Sequence, residues 1–191
     1  MGREMSQEEK HLSWSLLSEK SLVKNQWIDF RESVWRFPDG REIGPFYTGS
    51  RKDYVVITAQ DTDGNYVCVR QFRQGIREVT TEFPAGGIEE GEEPLSAAKR
   101  ELSEETGYES DEWSFLSKIP SYATISDNYA YLFSARNCRK VSGQHLDSIE
   151  FVDVKTLTEK ELRDLIREDR FQQAVHILAY FRAKEDLCGE G

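Results

Sequence analysis

Cysteine, histidine, positive charge and long apolar runs are all in short supply in this 191-residue chain, and each scarcity excludes something. The three cysteines, Cys68, Cys138 and Cys188, are far apart and form no CxxC pair. They are read as structural thiols suited to a reducing cytoplasm. No run of about 18 apolar residues exists, so no membrane span is predicted. The N-terminus is polar and lacks an apolar signal core, and residues 1–12 are expected to be an unstructured or extraneous tail. Lys and Arg total 25 against 35 Asp and Glu, a formal charge of −10. That balance argues against a nucleic-acid binder, which needs clustered cations to coat phosphates. It leaves open a nucleotide held through a metal ion. With 38% hydrophobic and 12% aromatic residues the chain can build a core, and its length suggests one domain or two. No repeat, low-complexity segment or linker stands out.

The acidity is concentrated. Glu82 to Glu112 holds 11 acidic residues against two basic ones, Lys99 and Arg100, so this stretch carries −9 of the −10. Crowded like charges repel one another and cost stability. A solvated helix face would account for some of this, and a cation site for more.

Along the chain, 13–25 reads as a lead-in. Trp27–Phe37 reads as a strand ending at the turn Pro38-Asp39-Gly40, and a second strand to Thr48 completes a hairpin. Further strands are expected at Tyr54–Ala59, Tyr66–Phe72 and Val79–Phe83. After the loop Ala85-Gly86-Gly87, Pro94 opens a helix that Gly107 closes. Strands follow at Trp113–Ile119, Tyr129–Ala135 and Glu150–Val154, with Arg136–Asp147 a mobile loop. Thr158 and Glu161 form a capping box for one helix. A last helix, Phe171–Lys184, is expected to bury Ala174, Val175, Leu178 and Phe181. The pattern predicts a mixed sheet covered by helices on both faces.

The helix Pro94–Thr106 carries the chemistry. Glu101 and Glu105 lie one turn apart on one face with Glu104 beside them, a destabilising arrangement without a cation between them. Arg100 alone cannot balance the cluster. A hard divalent ion can, since Mg2+ takes carboxylate and phosphate oxygens. No His or Cys is near, which argues against Zn2+. The glycine loop lets backbone approach a ligand closely, so a carbonyl of Ala85 or Gly86 can join the ligand set. Carboxylates, carbonyls and a glycine-lined approach suit cleavage of a phosphate ester or anhydride.

The run Gly86-x5-Glu92-x7-Arg100-Glu101-Leu102-x-Glu104-Glu105-x-Gly107-Tyr108 resembles the complete signature of the Nudix hydrolases. Its seven fixed positions, each at a usage of roughly 6–7%, make chance a poor explanation. The resemblance implies an α/β/α sandwich that splits a nucleoside diphosphate linked to another group, using Mg2+ or Mn2+. It implies Glu101 and Glu105 as main metal ligands, Glu104 as ligand or helper, and the Ala85 carbonyl as a further ligand. Arg100 would orient the glutamates and Glu92 would brace the loop.

Val69-Arg70-Gln71-Phe72-Arg73 and Glu82-Phe83-Pro84-Ala85-Gly86 are similar to the ADP-ribose and nucleotide-sugar pyrophosphatase branch. So is a hairpin before the catalytic domain. The branch implies a dimerising β subdomain over 13–50, a hydrolase domain over 51–188 and a cytoplasmic homodimer. Trp27 would stack on a base, with Phe46 and Tyr47 as rivals. Arg51, Arg73, Glu82 and Gly86 would hold substrate. The loop after the box departs from the branch: Ala123, Thr124 and Asn128 replace its usual Pro, Gly and Glu. The general base is therefore open among Asp127, Asp147, Glu150 and Glu104. His11, His145 and His176 lie outside the box and are read as core or surface residues. ADP-ribose hydrolysis to AMP and ribose 5-phosphate is the expected reaction. GDP-mannose and ADP-glucose are the nearest alternative substrates. Further alternatives are a non-enzymatic nucleotide sensor and an enzyme acting on damaged nucleoside triphosphates or diadenosine polyphosphates.

Overall fold

The computed structural model describes residues 6–146 and 148–189. The tail residues 1–5 and the candidate base Asp147 lie outside the described residues, as do the side chains of Gln7, Leu187 and Cys188. Two compact units form: Met1–Arg51 with Tyr122–Asn128, and Lys52–Ser121 with Tyr129–Gly191.

In the first unit a short helix α1, Gln7–Lys10, interrupts the expected tail. Ser6 and Glu9 cap it reciprocally, each side chain accepting from the other's backbone N–H. Three strands follow, β1 (Ser15–Lys24), β2 (Asp29–Arg36) and β3 (Glu42–Ser50), in one antiparallel sheet of order β1-β2-β3. The predicted hairpin is thus three-stranded, and the lead-in is its first strand. β1 is exposed along its whole length, so no alternation of apolar and polar residues announces it. The predicted turn holds, with Gly40 at φ +87, a conformation glycine adopts without strain. Trp14 packs on Phe37 at 4.1 Å and on Phe46 at 5.5 Å between ring centroids. The loop Tyr122–Asn128 is tied to β3: the Gly49 N–H donates to the Ile125 carbonyl at 2.7 Å, and the Ser126 hydroxyl donates to the Gly49 carbonyl at 3.0 Å.

The second unit opens with β4 (Tyr54–Asp61), β5 (Tyr66–Arg73), β6 (Glu78–Glu82) and β7 (Ala85–Gly87). The helix α2, Pro94–Thr106, spans the residues expected, with Gly107 closing it at φ +73. Then come β8 (Tyr108–Glu109), β9 (Glu112–Pro120), β10 (Tyr129–Lys140), β11 (Val152–Leu157), α3 (Glu159–Arg167) and α4 (Ala174–Gly189). The sheet runs β11-β5-β4-β10-β8, with β6 on β5, β7 on β4 and β9 on β10. Among the described strand pairs of this sheet, β4–β10 alone is parallel.

Alternation along β4 makes the sandwich, because successive side chains in a strand face opposite ways. Val55, Ile57 and Ala59 pack with Ala97, Ala98 and Leu102 of α2. Val56 faces the other side, where Tyr66, Cys68 and Leu132 meet Leu162 of α3 and Ala179 and Tyr180 of α4. Each large side chain so buried contributes about 1.5–3 kcal/mol. The result is the α/β/α sandwich with a mixed sheet that the sequence predicts.

In this unit β10 and α4 differ most from expectation. β10 continues through Lys140, so Arg136–Lys140 is strand, pairing with β8 through Arg139 and Lys140. In α4 the buried residues are His176, Ala179, Tyr180 and Ala183, while Leu178 and Phe181 are exposed. The helix is apolar on nearly every side from Val175 to Phe181, so periodicity does not select its inner face.

Candidate active site

The chain from Thr80 to Gly87 places the site. β6 pairs with β5, ending at Val69–Glu82, whereas β7 pairs with β4, beginning at Val56–Ala85. Between them Phe83-Pro84 carries the chain from one neighbour to the other. The backbone beyond the crossing meets α2 directly. The Ala85 N–H donates to Glu105 Oε2 at 3.0 Å. A Cβ on Gly86 would overlap the Glu101 carboxylate, so glycine here leaves that side chain its place beside the backbone.

Arg100 organises the acids. Its Nε and Nη2 donate to the two oxygens of Glu92 at 3.0 and 2.9 Å, and Nη2 also donates to the Gly87 carbonyl at 2.9 Å. Its Nη1 donates to Glu101 at 2.7 Å and to Glu104 at 3.0 Å. Hydrogen bonding to Glu92 is the main cause that holds the guanidinium firmly charged, and it holds Glu92 below the ordinary carboxylate range. One cation among three carboxylates leaves a deficit, visible deeper in the site. Burial pushes Glu105 up to about 8, with the charges of Glu101 and Glu150 adding to it and the Ala85 N–H opposing. Burial likewise raises Glu101 despite Arg100.

Arg73 and Glu82 form a second pair. Glu82 is 0% exposed. Its oxygens accept from Arg73 Nε at 2.9 Å, from Arg73 Nη2 at 2.5 Å and from the Thr80 hydroxyl. Burial opposes the Glu82 charge, but the Arg73 bonds win and hold it ionised. Glu82, expected to touch substrate, is enclosed by these partners. Arg73 remains partly exposed with Nη1 outside the pair.

The segment after β10 closes over the end of α2. The His145 N–H donates to the Glu104 carbonyl at 2.8 Å, and Gln144 Nε2 donates to the carbonyls of Glu105 and Val152. Glu150 lies farther along it, close enough for its charge to raise both Glu101 and Glu105. Gln144 carries no sequence signal, since its partners are backbone carbonyls.

The remaining candidates, Trp27, Phe46, Tyr47, Arg51 and Asp127, belong to the first unit. Trp27 sits in the β1–β2 turn rather than on a strand, 63% exposed, its N–H donating to Asn25. Phe46 is engaged with Trp14 and Phe37. Tyr47 stacks on Phe30 at 5.8 Å, and Arg51 is exposed between β3 and β4. Asp127 pairs with Arg31 at 3.7 Å.

The donor set fits a hard divalent cation by its chemistry: carboxylates of Glu101, Glu104 and Glu105 beside a glycine-lined backbone, with no His or Cys among them. Among the described residues no three such side chains converge at liganding distance. Arg100 draws Glu101 and Glu104 onto itself, and the Ala85 N–H takes Glu105.

The NUDIX domain family matches residues 50–180, and the chain belongs to that family. A methanol dehydrogenase activator from Bacillus methanolicus is 33% identical over 179 residues, covering 90% of this chain and 97% of the relative. An ADP-ribose pyrophosphatase from Bacillus subtilis is 33% identical over 186 residues, covering 90% and 96%. The crystal structure of an ADP compounds hydrolase superposes with a TM-score of 0.80 at 21% identity, over 94% of this chain and 97% of that one. It shares the fold.

Proposed function

We propose that this protein is a pyrophosphohydrolase that splits ADP-ribose into AMP and ribose 5-phosphate, with Mg2+ as its metal and Mn2+ as a substitute. The observation that carries the reading is the complete acidic box folded around Arg100, with more carboxylate charge than the guanidinium can balance. The ADP-ribose pyrophosphatase relative, matched over nearly its whole length, supports the substrate class.

Glu101, Glu104, Glu105 and the Ala85 carbonyl would hold the metal. When bound, Mg2+ supplies positive charge that offsets the diphosphate and makes an attacking water easier to ionise. Arg100 keeps Glu101 and Glu104 turned to one side of α2, braced by Glu92 and Gly87. Arg73, fixed by Glu82, offers Nη1 as a donor to a phosphate oxygen, and Gly86 leaves room beside the Glu101 carboxylate. Glu150 is the favoured general base, because its charge reaches both Glu101 and Glu105. Asp127, Asp147 and Glu104 are the other candidates for this role.

Residues 13–50 serve in this reading as a dimerising subdomain. The exposed Leu16, Leu17, Leu22 and Val23 of β1 support it, as an apolar strand surface that a second copy would cover. Trp27 and Arg51 are the substrate contacts assigned to this unit. Cys68 and Cys138 are free and buried, which supports a reducing cytoplasm. No helix among the described residues is long and apolar enough to cross a membrane.

The test is to incubate ADP-ribose, GDP-mannose and ADP-glucose separately with protein and Mg2+ and to measure nucleoside monophosphate. AMP released from ADP-ribose in preference to the others is expected. No release from any of them overturns the reading.

A further inference from the structure

The crossing at Phe83-Pro84 has a polar problem of its own. Where the chain leaves β5 and before it joins β4, neither strand serves the Phe83 N–H. Pro84 has no N–H, and its carbonyl accepts from the Ile57 N–H at 2.9 Å. Phe83 is 0% exposed, so water does not reach its amide. An unpaired donor at such a depth is costly and rare. The partner comes from the opposite face of the sheet: His176 Nδ1, on α4, accepts from the Phe83 N–H at 3.1 Å. His176 is itself buried, with its ring beside those of Phe83 and Phe171, which also pack on each other. An acceptor at Nδ1 places the proton of the neutral ring on Nε2.

Two residues beyond this anchor, the Ala85 N–H reaches Glu105, and the next residue lies under Glu101. The anchored peptide therefore sets where the backbone stands beside both carboxylates. We propose that His176 is a positioning residue for the metal site: from behind the sheet it fixes the Phe83–Gly86 backbone against which Glu101 and Glu105 are held. This rests on the reading of those carboxylates and the Ala85 carbonyl as a divalent-cation site. It gives α4 a functional role, through one hydrogen bond between residues 93 apart in the chain.

Two substitutions separate this role from packing. His176→Phe keeps a ring of similar size and removes the acceptor. His176→Asn loses ring volume, but its Oδ1 stands at the same number of bonds from the backbone as Nδ1. Mn2+ binding is followed by electron paramagnetic resonance without substrate, and the folded state by thermal melting. His176→Phe is expected to weaken Mn2+ binding about 10–100-fold, the range for groups that orient metal ligands. His176→Asn is expected to recover most of that loss. Hydrogen exchange in the wild-type protein tests the bond without any variant, and Phe83 is expected among the slowest amides. Equal Mn2+ affinity in wild type and folded His176→Phe, equal losses in both variants, or a rapidly exchanging Phe83 amide would each overturn the proposal. If Mn2+ binds and His176→Phe weakens it while no nucleotide sugar is hydrolysed, the positioning role stands and the ADP-ribose reading fails. A wild-type protein that binds no Mn2+ overturns both.

Discussion

Two arginines hold glutamates in this site, and they solve opposite problems. Arg73 meets one buried carboxylate, Glu82, and the pair closes on itself. Arg100 is divided among Glu92, Glu101 and Glu104, with Glu105 beyond its reach. The first pair is balanced and serves as rigid support. The second is in deficit, and burial, with the neighbouring carboxylate charges adding to it, raises the proton affinity of Glu105 and Glu101. A buried ion pair stabilises only when each charge is met. An unmet cluster keeps its place in a fold when a further cation completes it.

The sharpest way to break this contrast is Glu105→Gln. Removing one preorganised charged group from the deficit side is expected to lower kcat by roughly 10²–10³-fold, measured as AMP release at saturating Mg2+. The variant should still melt cooperatively, because the amide no longer carries a buried charge. Arg73→Ala attacks the balanced side and should act first on stability. It strands Glu82 at 0% exposure and should cost about 3 kcal/mol in urea unfolding, near the low end for a broken buried pair because Arg73 is partly solvated.

A third expectation concerns pH in the presence of chelator. Glu105 titrates near 8 in the folded chain and near its ordinary 4.5 when unfolded. A raised carboxyl contributes stability below 4.5 that is lost as pH rises through 8. His176 works oppositely: burial lowers it from 6.5 to about 4, so its contribution is lost as pH falls through that range. The two oppose one another from 4.5 to 6.5, and of the two Glu105 alone acts from 6.5 to 8. Chelated protein should therefore lose about 2 kcal/mol between pH 6.5 and 8. The slope should flatten in Glu105→Gln, and a flat wild-type profile would count against the deficit. The smallest effect is expected for Glu92→Gln. It loosens Arg100 without removing a metal ligand, so about a tenfold weakening of Mn2+ binding is the scale.

The parts legible in the sequence are those encoded locally. Pro94, the carboxylates four apart and Gly107 define α2 to the residue, because cap and helix signals lie within a few positions of what they control. The Thr158–Glu161 box does the same for α3. Gly86 was legible as a close approach, though not that Glu101 would be what approaches. What escaped depends on distant partners. β1 is a strand because β2 pairs with it, not because of its own pattern. Glu82 looks like a substrate contact until Arg73 and Thr80 enclose it. His176 sits in a helix whose apolar residues surround it on nearly every side, so its inward face is set by Phe83 and Phe171 rather than by spacing.

The crossing of the chain from β5 to β4 also limits how this protein can vary. Side chains alternate between faces along the segment, with Glu82 toward Arg73, Phe83 toward α4 and Gly86 beneath Glu101. One residue inserted between Glu82 and Gly86 would exchange the faces of everything after it. It would set a side chain where the Glu101 carboxylate now lies. Length between these two positions should therefore be as invariant among functional descendants as the acids themselves, while the exposed turns at Gly40 and Gly64 remain free to grow or shrink.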